Sequence, residues 1–336
     1  MAIDSAVWTS LAVAATAFTP CLTYRPQPPA AGHAPRRSAL ILNGAALAGV
    51  KDKLGAEEGE VVFRTIDELA FTIETGAVGV YETASNRDLA DFAFVQVASF
   101  PNPTGTLLNA IADYLRHHGV HVVNAEGIGA PTRLLQYVRL AQAGMPVPAT
   151  RYLPPRLLAD SYADLAERFG LPFILTPLRG VAGRRDLLVS GEPGFAERLA
   201  TAQHASFLAR ELIPADATYR LLVLGHEVSV VLRQVTSFGE ADLPGTPDRR
   251  QVSLVNPATF SPSARILGIQ AASLMELDVA DVHVVRHWLT GEWHVLETSA
   301  TPRLSAGAFV PDKVSAYTAY LQRKLGAGAG SDCRSW

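Results

Sequence analysis

Asp281 and His283 stand two residues apart, and in a strand that spacing points both side chains to one face. A carboxylate oxygen is the ligand type a hard cation such as Mg2+ takes, whereas an imidazole nitrogen suits Zn2+ better. Glu297 is a further carboxylate in the following strand, and Ser299, two positions on, a short hydroxyl. His283, His287 and His294 cluster in sequence. A zinc site is one reading of them; partly buried, hydrogen-bonded histidines are the commoner one. Arg179 and the pair Arg184-Arg185 bracket the run Gly180-Val-Ala-Gly183, whose glycines leave the backbone free to approach an anion. A solvated basic loop tip is the alternative. Other catalytic patterns are missing: Gly-x-Ser-x-Gly is absent, and His117-His118-x-x-His121 lacks the glutamate of a metalloprotease motif. No Gly-x-Gly-x-x-Gly follows the first strand, which argues against a dinucleotide site in residues 38–127.

The elements that must carry these residues follow from periodicity. Tyr24 to Pro35 is rich in Pro and Ala and reads as an extended linker. Strands are expected at Ser38–Leu42, Val61–Arg64, Val78–Tyr81, Phe92–Val97 and Val120–Asn124, and a helix over Leu107–His117 has apolar residues at 107, 108, 111, 112 and 115. That alternation implies an α/β unit with a parallel pair. Helices follow at Leu134–Ala141 and Asp160–Phe169, each closed by a glycine, Gly144 and Gly170. Further strands are read at Phe173–Thr176, Asp186–Val189, Phe207–Ile213, Tyr219–Leu224 and Glu227–Arg233, the last two joined as a hairpin through Gly225-His226. A helix over Ser263–Leu277, strands at Val282–Val285 and Trp293–Glu297, and a helix over Lys313–Leu325 complete the pattern, and the Gly-Ala repeat beyond reads as disordered.

Composition sets the bounds. The chain has 336 residues, is 48% hydrophobic, and carries a formal net charge of −3, with a pI near 6.3 and a mean hydropathy of +0.15. No basic face is implied, so nucleic acid is not an expected partner. Cys21 and Cys333 have no second Cys or paired His at zinc spacing, and a reducing, cytoplasmic compartment fits them. The apolar stretch Ala12–Phe18 is too short to span a bilayer and lacks the positive flank of a secretory signal; it reads as a docking segment or a tail. Docking through it, or a homo-oligomer, remains open.

Five local matches, in order, give a family resemblance. Leu134 to Thr150 has a helix followed by a Gly-x-x-x-Pro exit; Gly170 to Thr176 is a strand; Arg179 to Gly183 is a glycine loop; Phe207 to Pro214 is a hinge strand; and Val295 to Pro302 runs Glu, a polar residue two on, then Pro. Together they resemble the ATP-grasp superfamily, in particular the RimK-type carboxylate–amine ligases. The fold implied is α/β (α+β): a tail and linker in 1–37, a small α/β pre-grasp domain in 38–129, an ATP-grasp domain in 130–312 with lobes 130–206 and 207–312, and a closing helix and tail in 313–336.

The resemblance implies ATP and Mg2+, and a small-molecule or peptide carboxylate joined to an amine through an acyl phosphate. It puts Arg133 at the first phosphate-binding lysine and Thr176 at the second, where a threonine cannot neutralise phosphate charge. Gly180, Gly183 and Arg184 are expected at the triphosphate, Glu211, Leu212 and Ile213 at the adenine edge, and Asp216 at the ribose. Arg220 and Arg233 are expected to face the phosphates and stabilise the developing charge. Glu297 is the expected magnesium ligand; Ser299 replaces an amide or carboxylate and His283 an aspartate, with Asp281 as replacement ligand. The turn-rich segment 244–250, within an insertion at 236–260, reads as a lid. Thr176, His283 and Ser299 also admit an alternative, a scaffold that has lost turnover and acts as a binding or structural partner.

Overall fold

A computed structural model describes residues 38–42, 50, 60–97, 105–125, 133–178, 186–201, 206–235 and 251–327. The N-terminal tail, the glycine loop at 179–185, the segment 244–250 and residues 328–336 lie outside the described residues, while Gly326 and Ala327, read as the start of a disordered Gly-Ala repeat, continue the last helix.

The first strands, β1 (Ser38–Leu42), β2 (Glu60–Arg64), β5 (Phe94–Val97) and β6 (His121–Val123), form a parallel sheet in the order β2-β1-β5-β6. All five residues of β1 are buried, as expected for an interior strand of a parallel sheet covered on both faces. Helix α1 (Gly105–His117) covers one face through Leu108, Ile111, Ala112 and Leu115, four of the five apolar positions that set its period. Strands β3 (Leu69–Glu74) and β4 (Ala77–Glu82) pair as a separate hairpin.

Next come α2 (Arg133–Gln142), β7 (Thr150–Tyr152), α3 (Pro155–Leu158), α4 (Tyr162–Phe169), β8 (Phe173–Pro177), β9 (Leu187–Val189), α5 (Glu192–Thr201) and β10 (Phe207–Glu211). Their strands form an antiparallel sheet in the order β7-β10-β8-β9, with Phe173, Leu175, Phe195 and Phe207 in its core.

The central sheet, β13-β12-β11-β14-β15, is antiparallel and contains β11 (Thr218–Leu224), β12 (Glu227–Val235), β13 (Gln251–Val255), β14 (Val279–Arg286) and β15 (Trp293–Ser299). Alternation along these strands separates two faces. Leu221, Val223, Val231, Val282, Val284 and Val295 pack on α6 (Pro262–Leu274) and on Leu140 of α2. Leu222, Leu224, Val230, Leu232 and Val279 face α7 (Val310–Ala327) and the first sheet, whose Ala39, Ile41, Phe94 and Val123 join the same core. This second face continues past the helix into Arg220, Asp281, His283, Glu297 and Ser299, which share it by register.

Besides the short α3, three elements depart from the sequence reading. β13 lies inside the segment read as an insertion, where it pairs with β12 at the sheet edge. β3 has no buried residue and so lacks the alternation that marks a half-buried strand. Pro193 and Gly194 obscured α5; Pro193 sits in the first turn, where its missing N–H costs nothing.

Asn124 fixes the first sheet to the central one. At φ +60°, a conformation asparagine tolerates better than most residues, its amide donates to the carbonyls of Val279 (2.7 Å) and Ala300 (3.0 Å) and accepts from Val279 N–H (3.0 Å). Those contacts set the start of β14 and the end of β15, two residues from Asp281 and one from Ser299. Asn124→Ala would leave these buried groups unsatisfied, at about 1–3 kcal/mol each before relaxation. A loss of about 3 kcal/mol in chemical denaturation is expected; a loss under about 1 kcal/mol would show that the bridge is dispensable.

Candidate functional site

The end of the second face of the central sheet meets the antiparallel sheet across a cleft lined by charge. Thr176 on β8 is opposite Leu208 of β10, so Arg210, two residues on, shares its face; Arg210 Nε donates to Thr176 Oγ1 at 3.1 Å. Arg210 Nη2 also donates to Asp186 Oδ2 (2.6 Å), and the other Asp186 oxygen accepts from Arg133 Nη1 (2.8 Å). Arg133, the first residue of α2, reaches across with Nη2 to Glu297 Oε2 at 3.0 Å. His283 lies between two carboxylates, Nδ1 3.7 Å from Glu297 Oε2 and Nε2 3.6 Å from Asp281 Oδ2. Arg220 closes the series with both Nε and Nη2 on Asp281, Nε to Oδ1 at 3.4 Å.

Guanidinium and carboxylate groups therefore alternate from Arg210 to Glu297, and His283 and Arg220 flank Asp281. Burial alone would raise the Asp281 carboxyl, but His283 and Arg220 hold it far below the usual carboxylate range. Burial pushes Asp186 the same way, and the guanidinium groups of Arg210 and Arg133 reverse that push. At the first turn of α7, Lys313 is buried and donates to the carbonyls of Arg303 and Ala306, both at 2.6 Å. Burial and then Arg220 depress its pKa. Lys313, Arg303, Arg220 and Asp281 line a recess of about 20 Å³. A groove of about 660 Å³ lies along β12–β13 and the start of α7, beside Ser229, Asn256, Asp312 and Ser315; Val230 borders both spaces.

The structure thus brings together Arg133, Thr176, Arg220, Asp281, His283 and Glu297. It does not bring Arg233 with them. Arg233 is opposite Tyr219 and Ser253, and Arg220 is opposite Leu232, so the two arginines point to opposite faces of the sheet. Ser299 shares the cleft face, but its hydroxyl accepts from Thr301 N–H at 3.3 Å. At the hinge, Glu211 turns back to β7: its N–H donates to Ala149 O and its carboxylate accepts from Ala149 N–H at 2.8 Å. Leu212 and Ile213 continue beyond the ladder, with Ile213 buried and Asp216 exposed. Gly180, Gly183 and Arg184 lie outside the described residues.

Two residues at the centre of the cluster, Arg210 and Asp186, were not singled out from sequence. Arg210 carried a usable signal, a charge within the otherwise apolar run Phe207-Leu-Ala, because a charge in a buried strand needs a partner. Two other histidines are engaged elsewhere. His287 Nδ1 accepts from the Leu289 and Thr290 amides, and His121 Nε2 meets Asp278 at 2.8 Å.

The expected metal set does not fit a divalent cation as it stands. Among the described residues no group of three His, Cys, Asp or Glu side chains could hold a metal ion. Asp281 has a guanidinium across both oxygens, Glu297 has another on Oε2, and the Ser299 hydroxyl is engaged.

No protein-family model matches the chain, and no curated protein matches it in sequence. Solved structures do match. The ATP-grasp ligase PsnB, complexed with minimal precursor, Mg and ADP, is 17% identical with a TM-score of 0.62, over 89% of this chain and 100% of that one. Macrocyclase MdnC, bound with precursor peptide MdnA, from Microcystis aeruginosa, is 13% identical with a TM-score of 0.58, over 83% and 98%. A RimK-domain ATP-grasp protein from Sphaerobacter thermophilus is 17% identical with a TM-score of 0.53, over 84% and 98%. The fold is that of the ATP-grasp ligases. Among the described residues no helix is long and apolar enough to cross a membrane.

Burial predicts unequal costs for breaking the ion pairs. Arg220→Met leaves Asp281, whose side chain is only 9% exposed, without its guanidinium, and about 3 kcal/mol of stability is expected to go. Arg323→Met removes a pair with both side chains more than half exposed and should cost less than about 1 kcal/mol. Equal losses in thermal melts would contradict this ranking. The lowered carboxyls give a pH prediction. A carboxylate with a depressed folded pKa stabilises fully above its unfolded value of about 3.9, and that stability is lost as pH falls through the folded value. Unfolding free energy should therefore fall below about pH 4, and less steeply in Asp281→Asn than in the native chain; identical slopes would contradict it.

Proposed function

We propose that the chain is an ATP-dependent carboxylate–amine ligase whose carboxylate substrate is a peptide. The observation that carries this reading is the convergence of Arg133 from helix α2, Arg210 from β10 and Arg220 from β11 on one cleft of an ATP-grasp fold. In this reading adenine lies against Glu211 to Ile213, with Asp216 toward the ribose, and the triphosphate runs toward the three arginines and the loop at Gly180, Gly183 and Arg184. Arg210 takes the place of the cation that Thr176 lacks, since its guanidinium lies directly over the threonine hydroxyl. The acceptor occupies the groove beside Asn256, Asp312 and Ser315, on the same face as Arg220. Its carboxylate oxygen attacks the terminal phosphorus of ATP, releasing ADP and forming an acyl phosphate. The amine nitrogen then attacks the acyl carbon, loses a proton to solvent, and orthophosphate leaves. Arg220 stabilises the negative charge that develops in both steps, the role in which fixed, preorganised cations are most effective. A peptide acceptor is favoured by likeness, because PsnB and MdnC were each solved with a precursor peptide.

Hydroxylamine tests this directly, because it traps an acyl phosphate as a hydroxamate. Incubation with ATP and a pool of Asp- and Glu-containing peptides should yield hydroxamate and ADP in equal amounts. ADP release that ignores the peptides, or no hydroxamate with any of them, would contradict ligation.

A second reading, a nucleotide-binding partner without turnover, is favoured by the guanidinium groups on Asp281 and Glu297. The combined variant Thr176→Lys, His283→Asp, Ser299→Asn separates the two. If only the variant yields hydroxamate, the native chain binds without turning over; if both yield it, the ligase reading stands.

A further inference from the structure

Resting on the nucleotide reading, we propose that this cleft binds the polyphosphate free of divalent metal, with Arg133 and Arg220 supplying the positive charge a cation would otherwise bring. The residues best suited to ligate a cation are committed elsewhere. Arg220 is placed across both oxygens of Asp281, the arrangement in which guanidinium and carboxylate match best. Arg133 donates to Glu297 Oε2, the same oxygen that His283 faces at 3.7 Å. Mg2+ needs anionic oxygens at about 2.1 Å in an octahedron and gives up its water reluctantly. To take Asp281 it must displace a guanidinium that does not deprotonate, and at Glu297 it would sit beside the guanidinium already on Oε2, placing like charges side by side.

The charge balance favours a bare polyphosphate. Arg133, Arg210 and Arg220 match Asp186, Asp281 and Glu297 one for one. Arg303 and Lys313 border the same recess as Arg220 and Asp281, which leaves at least two positive charges in excess. An incoming polyphosphate supplies that missing negative charge and can compete for guanidinium groups already aimed into the cleft. Planar guanidinium forks suit phosphate oxygens as well as they suit carboxylates. Because Arg133 and Arg210 each hold Asp186 through one oxygen, either can turn toward phosphate while the other keeps that carboxylate paired.

Calorimetry of the full chain with a non-hydrolysable ATP analogue, in EDTA and in excess Mg2+, tests the proposal. The dissociation constants are expected to agree within about fivefold. Tightening by Mg2+ of about fivefold or more would overturn the proposal while leaving the nucleotide reading intact. Absence of binding in both media would remove the nucleotide reading and this inference together. Arg133→Gln, checked for a native-like melt, supplies a second arm: its affinity in EDTA should fall at least about fivefold and recover in part with Mg2+, since Glu297 is then released. Unchanged affinity of that variant in EDTA would also overturn the proposal.

Discussion

Asp186 carries one negative charge and holds two guanidinium groups, one from β10, two strands over in its sheet, and one from the helix that reaches to the central sheet. Without that carboxylate, Arg210 would be a nearly buried cation facing only a threonine hydroxyl. Burying an unpaired charge is far costlier than any single contact in the cleft can offset. The same carboxylate sets the direction of Arg133, and through Arg133 the position of Glu297. The geometry of the whole cleft thus depends on a side chain just outside the first residue of a three-residue strand. Each exposed pair is worth little alone. Their coupling gives the site its definition, because moving one member changes what every neighbour can pair with.

Such a network gives the cleft two properties at once. Its side chains hold one another in place, and in the proposed reading its guanidinium groups are already where phosphate oxygens would be bound. Under the proposal, binding is an exchange of one set of oxygens for another, with no need to assemble scattered side chains. The cost is that carboxylates must be released in step, and Asn124 and Lys313 limit how far the backbone beneath can yield.

Much of the fold was legible because its signals are local. The helical period of α1, the buried run of β1 and the Gly225 hairpin each lie within a few residues. β13 and α5 were not, since one is defined by its neighbour in the sheet and the other begins with residues that ordinarily end helices. The site divides the same way. The spacing of Asp281 and His283 was enough to place them together. Thr176 was correctly read as lacking a charge, but the cation beside it is a diagonal neighbour on β10, some thirty positions on, that only strand register reveals. Register also separates Arg220 from Arg233, which sequence treats alike.

The central claim is that the arginines of this cleft are the phosphate ligands. The most direct measurement is a crystal structure of the full chain with a non-hydrolysable ATP analogue. The account predicts the adenine ring against Glu211 to Ile213 and phosphate oxygens within about 3 Å of Arg133, Arg210 and Arg220. An analogue bound elsewhere, with those guanidinium groups still on Asp186, Asp281 and Glu297, would contradict it.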